Sequence, residues 1–152
     1  MAYAATATLL RDGQSQLMGL IPDSYPTIRL TAKVLQGLNC AVTGFTNGRD
    51  ALAYLADRNN PRPHLIFIKI KGLGYTPDGH EVAQILRTQA PFIQDPVLQS
   101  TPIIGLTAMG QLLPENLKFM NDMLHKPMKV RDIRWVFITW MRRDPWQPHP
   151  KI

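Results

Sequence analysis

The chain has 152 residues, 45% of them hydrophobic and 18% charged, and a formal net charge of +6. That size and balance suit one globular domain with a single core. No apolar run approaches the roughly 18 residues that cross a bilayer, and Cys40, the only cysteine, excludes an intramolecular disulfide.

The first residues, MAYAATATLLRDGQ, lack a basic start followed by a long apolar stretch, so no secretory signal is expected and a cytoplasmic setting is. Residues 1–16 are small and polar without a sustained period and read as a flexible arm. Leu17 to Ile21 is a short apolar run that stops at Pro22-Asp23-Ser24, which predicts a buried strand and a turn. Ile28, Ala32, Leu35 and Leu38 recur at helical spacing, so a helix is expected from Pro26 to about Leu38. Cys40 to Phe45 is strand-like, Asn47-Gly48 a turn, and Arg49 to Arg58 a short helix.

After Pro61-Arg62-Pro63 comes His64 to Ile70, nearly continuously apolar, as a central parallel strand with both faces covered should be. Lys71 to Pro77 is a glycine-bearing loop. Asp78 is placed to cap a third helix with Val82, Ile85 and Leu86 inward. Ala90 to Ser100 contains two prolines and reads as a loop. Pro102 to Leu106 predicts a fourth strand, Pro114 to Asn121 a short helix, and Met123 to His125 a fifth strand. Val130, Ile133, Phe137 and Trp140 mark the inward stripe of a last helix ending near Arg142. Residues 143–152 hold three prolines and form a tail that cannot stay helical. Strand and helix thus alternate five times, which predicts a parallel sheet with helices on both faces and right-handed crossovers. The strand ends, carrying Pro22-Asp23, Lys69, Thr107 and Lys126, should gather at one crevice.

ALAYL after Asn47-Gly48, then HLIFIKIKG, DGHEVAQILR, TPIIGLTA and MLHKPM resemble, in this order, the receiver domains of two-component response regulators over about Leu17 to Trp140. The resemblance implies a flavodoxin-like α/β fold: a (βα)5 doubly wound sandwich whose five-stranded parallel sheet has the order 2-1-3-4-5. Residues 17–142 would be the receiver-like domain. An active receiver holds Mg²⁺ with acids after the first strand and phosphorylates an aspartate after the third. A hydroxyl after the fourth and a lysine after the fifth bind the phosphoryl oxygens. On this sequence the acidic pair falls on Pro22 and Asp23, the acceptor on Lys69, the hydroxyl on Thr107 and the lysine on Lys126.

Lys69 has no carboxylate and cannot form an acyl phosphate. Mg²⁺ prefers hard oxygen ligands, and an ammonium at ~4 Å in a surface-like dielectric repels a cation by about 4 kcal/mol before screening. Neither a metal nor any other cofactor is therefore expected. The switch position, usually aromatic, is Met123. The expectation is a degenerate pseudo-receiver that works independently of phosphorylation and is not an enzyme. Two uses of the pocket stay open: an internal Lys69–Asp23 ion pair, or capture of an anion by Lys69 and Lys126.

His64, His80, His125 and His149 lack metal-ligand spacing. On the last helix, Arg131, Trp135, Ile138 and Arg142 lie beside the inward stripe, and aromatic plus arginine is the composition of interface hot spots. The resemblance implies partner contacts through the fourth helix, fifth strand and fifth helix, with another signalling protein or in a homodimer. The basic charge leaves a nucleic-acid-associated regulator as the alternative, although the basic residues are scattered. No membrane partner is expected.

Overall fold

A computed structural model describes residues 4–6, 18–20, 25–37, 42–45, 47–60, 62–70, 77–107, 118–125 and 129–141. Pro22, Asp23, Lys126, Arg142, Cys40, most of the loop after the third expected strand and the tail lie outside the described residues.

The central feature is a parallel sheet of β3 (Ile66–Lys69), β4 (Ile103–Thr107) and β5 (Asp122–His125), in that spatial order. All five residues of β4 are buried, as expected of a parallel strand covered on both faces. Alternation along the strands divides the core in two. Ile66, Ile68, Ile70 and Ile103 face α2 (Gly48–Ala56) and α3 (Gly79–Thr88), meeting Ala51, Leu55, Val82, Ala83 and Leu86. Leu65, Phe67, Ile104, Leu106 and Leu124 face α1 (Tyr25–Gly37) and α5 (Val130–Met141), meeting Leu35, Ile133, Val136 and Trp140. Each fully buried large apolar side chain contributes about 1.5–3 kcal/mol. Helices therefore cover both faces of a parallel sheet, the layering the alternating sequence predicts.

The chain departs from expectation in five places. Within the segment read as a flexible arm, Ala4–Thr6 forms β1, paired antiparallel with β2 (Met18–Leu20). Pairing with a neighbouring strand supplies order that these small residues do not specify by their own pattern. The described strands are therefore not all parallel, and β2, the expected first strand, lies beside β3. Residues 42–45 do not form a regular strand, although Phe45 packs into the α2–α3 side of the core. Ala90 to Ser100 is not a plain loop: a 3-10 turn (Phe92–Gln94) leads into α4 (Pro96–Ser100). Pro96 there begins a helix rather than breaking one, and the Asp95 carboxylate accepts the Leu98 N–H at 3.2 Å. Finally, Val130 is 42% exposed and Val136 takes its place in the buried stripe.

Two half-buried arginines, unnoticed in the sequence, tie the N-terminal edge of the sheet together. Arg87 of α3 donates to the carbonyls of Leu98, Gln99 and Thr101 at 3.1, 3.0 and 2.7 Å and to Asn121 Oδ1 at 2.9 Å. Burial pulls its guanidinium down to about 10, still protonated at neutral pH. Asn121 Oδ1 also accepts the Ile103 N–H at 2.9 Å. One side chain thus links α3, α4 and the starts of β4 and β5. Arg62 pairs with Asp95 at 2.8 Å and donates to the Leu55 carbonyl at 2.9 Å and the Asp57 carbonyl at 2.8 Å.

Candidate functional site

β3, β4 and β5 end in Lys69, Thr107 and His125 at one edge of the sheet. Register sets Lys69 opposite Leu106 and Thr107 opposite His125. Ile70 continues the ladder, donating its N–H to the Leu106 carbonyl at 3.0 Å. In a parallel ladder that bond puts Ile70, one residue beyond Lys69, on the rung of Thr107.

The pleat sends Lys69 toward the face of Leu65 and Phe67, while Thr107 shares the face of Ile103. The structure therefore brings Thr107, 2% exposed, together with His125. Lys69 sits one rung earlier, on the opposite face. Met123 pairs with Gly105, is half-buried and packs against the isoleucine side of the core. It stands on the face of Thr107, two residues before the end of β5. Pro22, Asp23 and Lys126, the other positions of the expected pocket, lie outside the described residues.

The junction between β3 and α3 fixes where Lys69 ends. Gly79, the first residue of α3, lies so close that a Cβ there would overlap the Lys69 carbonyl oxygen. His80 donates its backbone N–H to the Ile70 carbonyl at 3.1 Å, and its Nδ1 lies 3.0 Å from the same oxygen. Asp78 N–H donates to Glu81 Oε1 at 3.1 Å, closing the first turn of the helix. The glycine needed for close approach and the acid needed at the start of the helix are both readable in PDGHE.

The second candidate surface is the outer side of α5. Trp135 is 68% and Ile138 39% exposed, with Arg131 and Arg134 exposed beside them. These four lie at i, i+3, i+4 and i+7 and so share one face. Arg131 approaches Asp132 at only 3.7 Å on an open surface, a pair of small worth. Arg134, one of a local basic group in the sequence, was not among the residues expected on this surface, although its spacing from Arg131 and Ile138 carries the signal. The inner side of the helix is anchored: Trp140 Nε1 donates to Asp122 Oδ2 at 3.0 Å.

Charge divides between the two helical layers. α1 and the adjacent α5, with the residue before α5, expose Arg29, Lys33, Lys129, Arg131 and Arg134 against the single carboxylate of Asp132. The α2–α4 layer balances Arg49, Arg58, Arg62 and Arg87 with Asp50, Asp57, Asp78, Glu81 and Asp95. Among the described residues, no group of histidine, cysteine and acidic side chains could hold a metal ion. No helix among them is long and apolar enough to cross a membrane.

Solved structures share this architecture. The chain is similar to a provisionally assigned response regulator from Chloroflexus aurantiacus J-10-fl, at 24% identity and a TM-score of 0.62, over 82% of this chain and 96% of that one. It is similar to the receiver domain of NtrX from Brucella abortus, at 20% identity and a TM-score of 0.59, over 82% and 98%. A third likeness is to the N-terminal domain of a response regulator/sensory box/GGDEF three-domain protein from Carboxydothermus hydrogenoformans, at 20% identity and a TM-score of 0.64, over 81% and 91%. No family model matches the sequence, and no curated protein does. The likeness is therefore one of fold: the chain has the α/β architecture of response-regulator receiver domains.

Proposed function

We propose that this chain is a receiver-like signalling module that acts by binding a partner and does not accept a phosphoryl group. One observation carries the reading: the end of β3 next to Thr107 offers Lys69 and Ile70, and the following residue is Lys71. An acyl phosphate needs a carboxylate oxygen as nucleophile. Moving the correspondence from Lys69 by a residue in either direction supplies Ile68 or Ile70, each an apolar sec-butyl side chain, and no acid. The same ammonium groups disfavour Mg²⁺, which would have Asp23 as its one remaining carboxylate near the first strand. Met123 in place of an aromatic side chain agrees with loss of the switch.

On this reading Lys69 serves the resting structure, extending to Asp23 as an internal counter-ion. No catalytic step is assigned to the chain, and its setting is cytoplasmic. Output belongs to the exposed side of α5. Incubation with acetyl phosphate and Mg²⁺, followed by intact mass spectrometry, tests the proposal. No phosphoryl adduct is expected, and beryllofluoride with Mg²⁺ should leave the melting temperature unchanged. An aspartyl phosphate on any residue sinks the proposal.

A further inference from the structure

On the reading of this chain as a binding module, we infer that the α5 stripe receives an acidic amphipathic segment of another protein. Trp135 and Ile138 supply its exposed apolar area, and Arg131 and Arg134 stand beside them on the same face. Exposed tryptophan beside arginine is the hot-spot composition of protein interfaces. The four residues span about 10 Å of helix, which matches two turns of a partner helix.

Charge selects among possible occupants. Among the described residues Arg134 has no ion-pair partner, and Asp132 is the only carboxylate on this layer. A second copy docked by a twofold axis would present the same patch to itself and oppose arginines to arginines. The chain's own continuation past α5 is also basic, with Arg142, Arg143 and Lys151 against Asp144. Nucleic-acid interfaces are more polar and draw on many phosphate contacts, whereas half of this stripe is the exposed apolar pair Trp135 and Ile138. A segment carrying leucine-like side chains on one face and Glu or Asp beside them satisfies both features.

The probe is a fluorescein-labelled synthetic helix with Leu at two positions per heptad and Glu elsewhere, titrated against the full chain. Saturable binding is expected, weakening as salt rises. The double variant Arg131→Glu/Arg134→Glu should lose at least tenfold in affinity and gain binding to the matching Leu/Lys helix. Trp135→Ala should also lose at least tenfold. All three substitutions lie on the exposed side of α5, and circular dichroism checks that the variants fold. Equal binding of the Leu/Glu helix by wild type and the double variant overturns the inference. So does tighter binding of a single-stranded or duplex oligonucleotide through the same arginines. A wild-type dimer that Trp135→Ala dissociates would keep α5 as the contact surface but replace the acidic segment with a second copy. Any of these failures leaves the inertness to phosphodonors standing, because that is read by the mass spectrum.

Discussion

His64 sits just before β3, and its Nδ1 is buried without a hydrogen-bond partner among the described residues. Desolvation lowers its pKa from the ordinary 6.5. The folded chain therefore holds the ring neutral more firmly than the unfolded chain does. Its contribution to stability is present above about pH 6.5 and falls as acid approaches the lower folded value. Urea unfolding at neutral and mildly acidic pH should show this loss, and His64→Phe should reduce it. An unchanged pH slope in that variant would assign the dependence to other groups. Arg87 is the more costly residue to remove. Arg87→Met would strand the carbonyls of Leu98, Gln99 and Thr101 in a buried site. A loss of about 2–4 kcal/mol is expected in the same denaturation experiment. A loss under 1 kcal/mol would mean that water replaces the guanidinium.

Among the elements, α4 and α5 carry the sharpest consequences. α4 has only five residues, too few to be stable alone. It is held by its Asp95 cap, by the Arg62–Asp95 pair and by the Arg87 contacts. Asp95→Ala removes the cap and leaves Arg62 without its carboxylate, so a cost of about 2–4 kcal/mol is expected. Asp95→Asn retains a capping oxygen and should lose less. Hydrogen exchange at the Leu98 and Thr101 amides would separate local unfolding of α4 from global destabilisation. In α5, Trp140→Phe keeps the ring in the core but deletes the bond to Asp122, for about 1 kcal/mol. Trp135→Ala on the outer side should change stability by under about 0.5 kcal/mol. That contrast distinguishes a packing tryptophan from a contact tryptophan.

Across the whole molecule, the two faces of the sheet divide the work. The face toward α2 and α3 carries an electrically balanced layer, and the face toward α1 and α5 carries most of the positive excess of the described helices. On the proposed function, the chain should respond to charge and salt at the second layer, not to phosphodonors at the strand ends. A Lys69→Asp variant tests whether the strand ends support receiver chemistry once an acid is placed there. It should remain unlabelled by acetyl phosphate, because restoring one acid does not restore the first-strand pair, where Pro22 stands beside Asp23. Labelling of this variant would mean that the metal site is still intact.

Periodicity and strand composition by themselves determined much of this protein. The apolar runs at His64 to Ile70 and Pro102 to Leu106, and the helical spacing before and after them, carry the layered α/β architecture because burial on both faces demands such patterns. The absence of an acid at Lys69, Ile70 and Lys71 is likewise a matter of residue identity. Tertiary structure alone decided the rest. Ala4–Thr6 becomes a strand through a partner twelve residues or more away, and Arg87 becomes a hub through carbonyls on other elements. Pro96 starts a helix because Asp95 and Arg62 meet there. Lys69 and Thr107 diverge because register and pleat, set by pairing between strands, determine which way each side chain leaves the sheet. Local sequence specifies which residues suit an element, while long-range pairing specifies rung, face and neighbour.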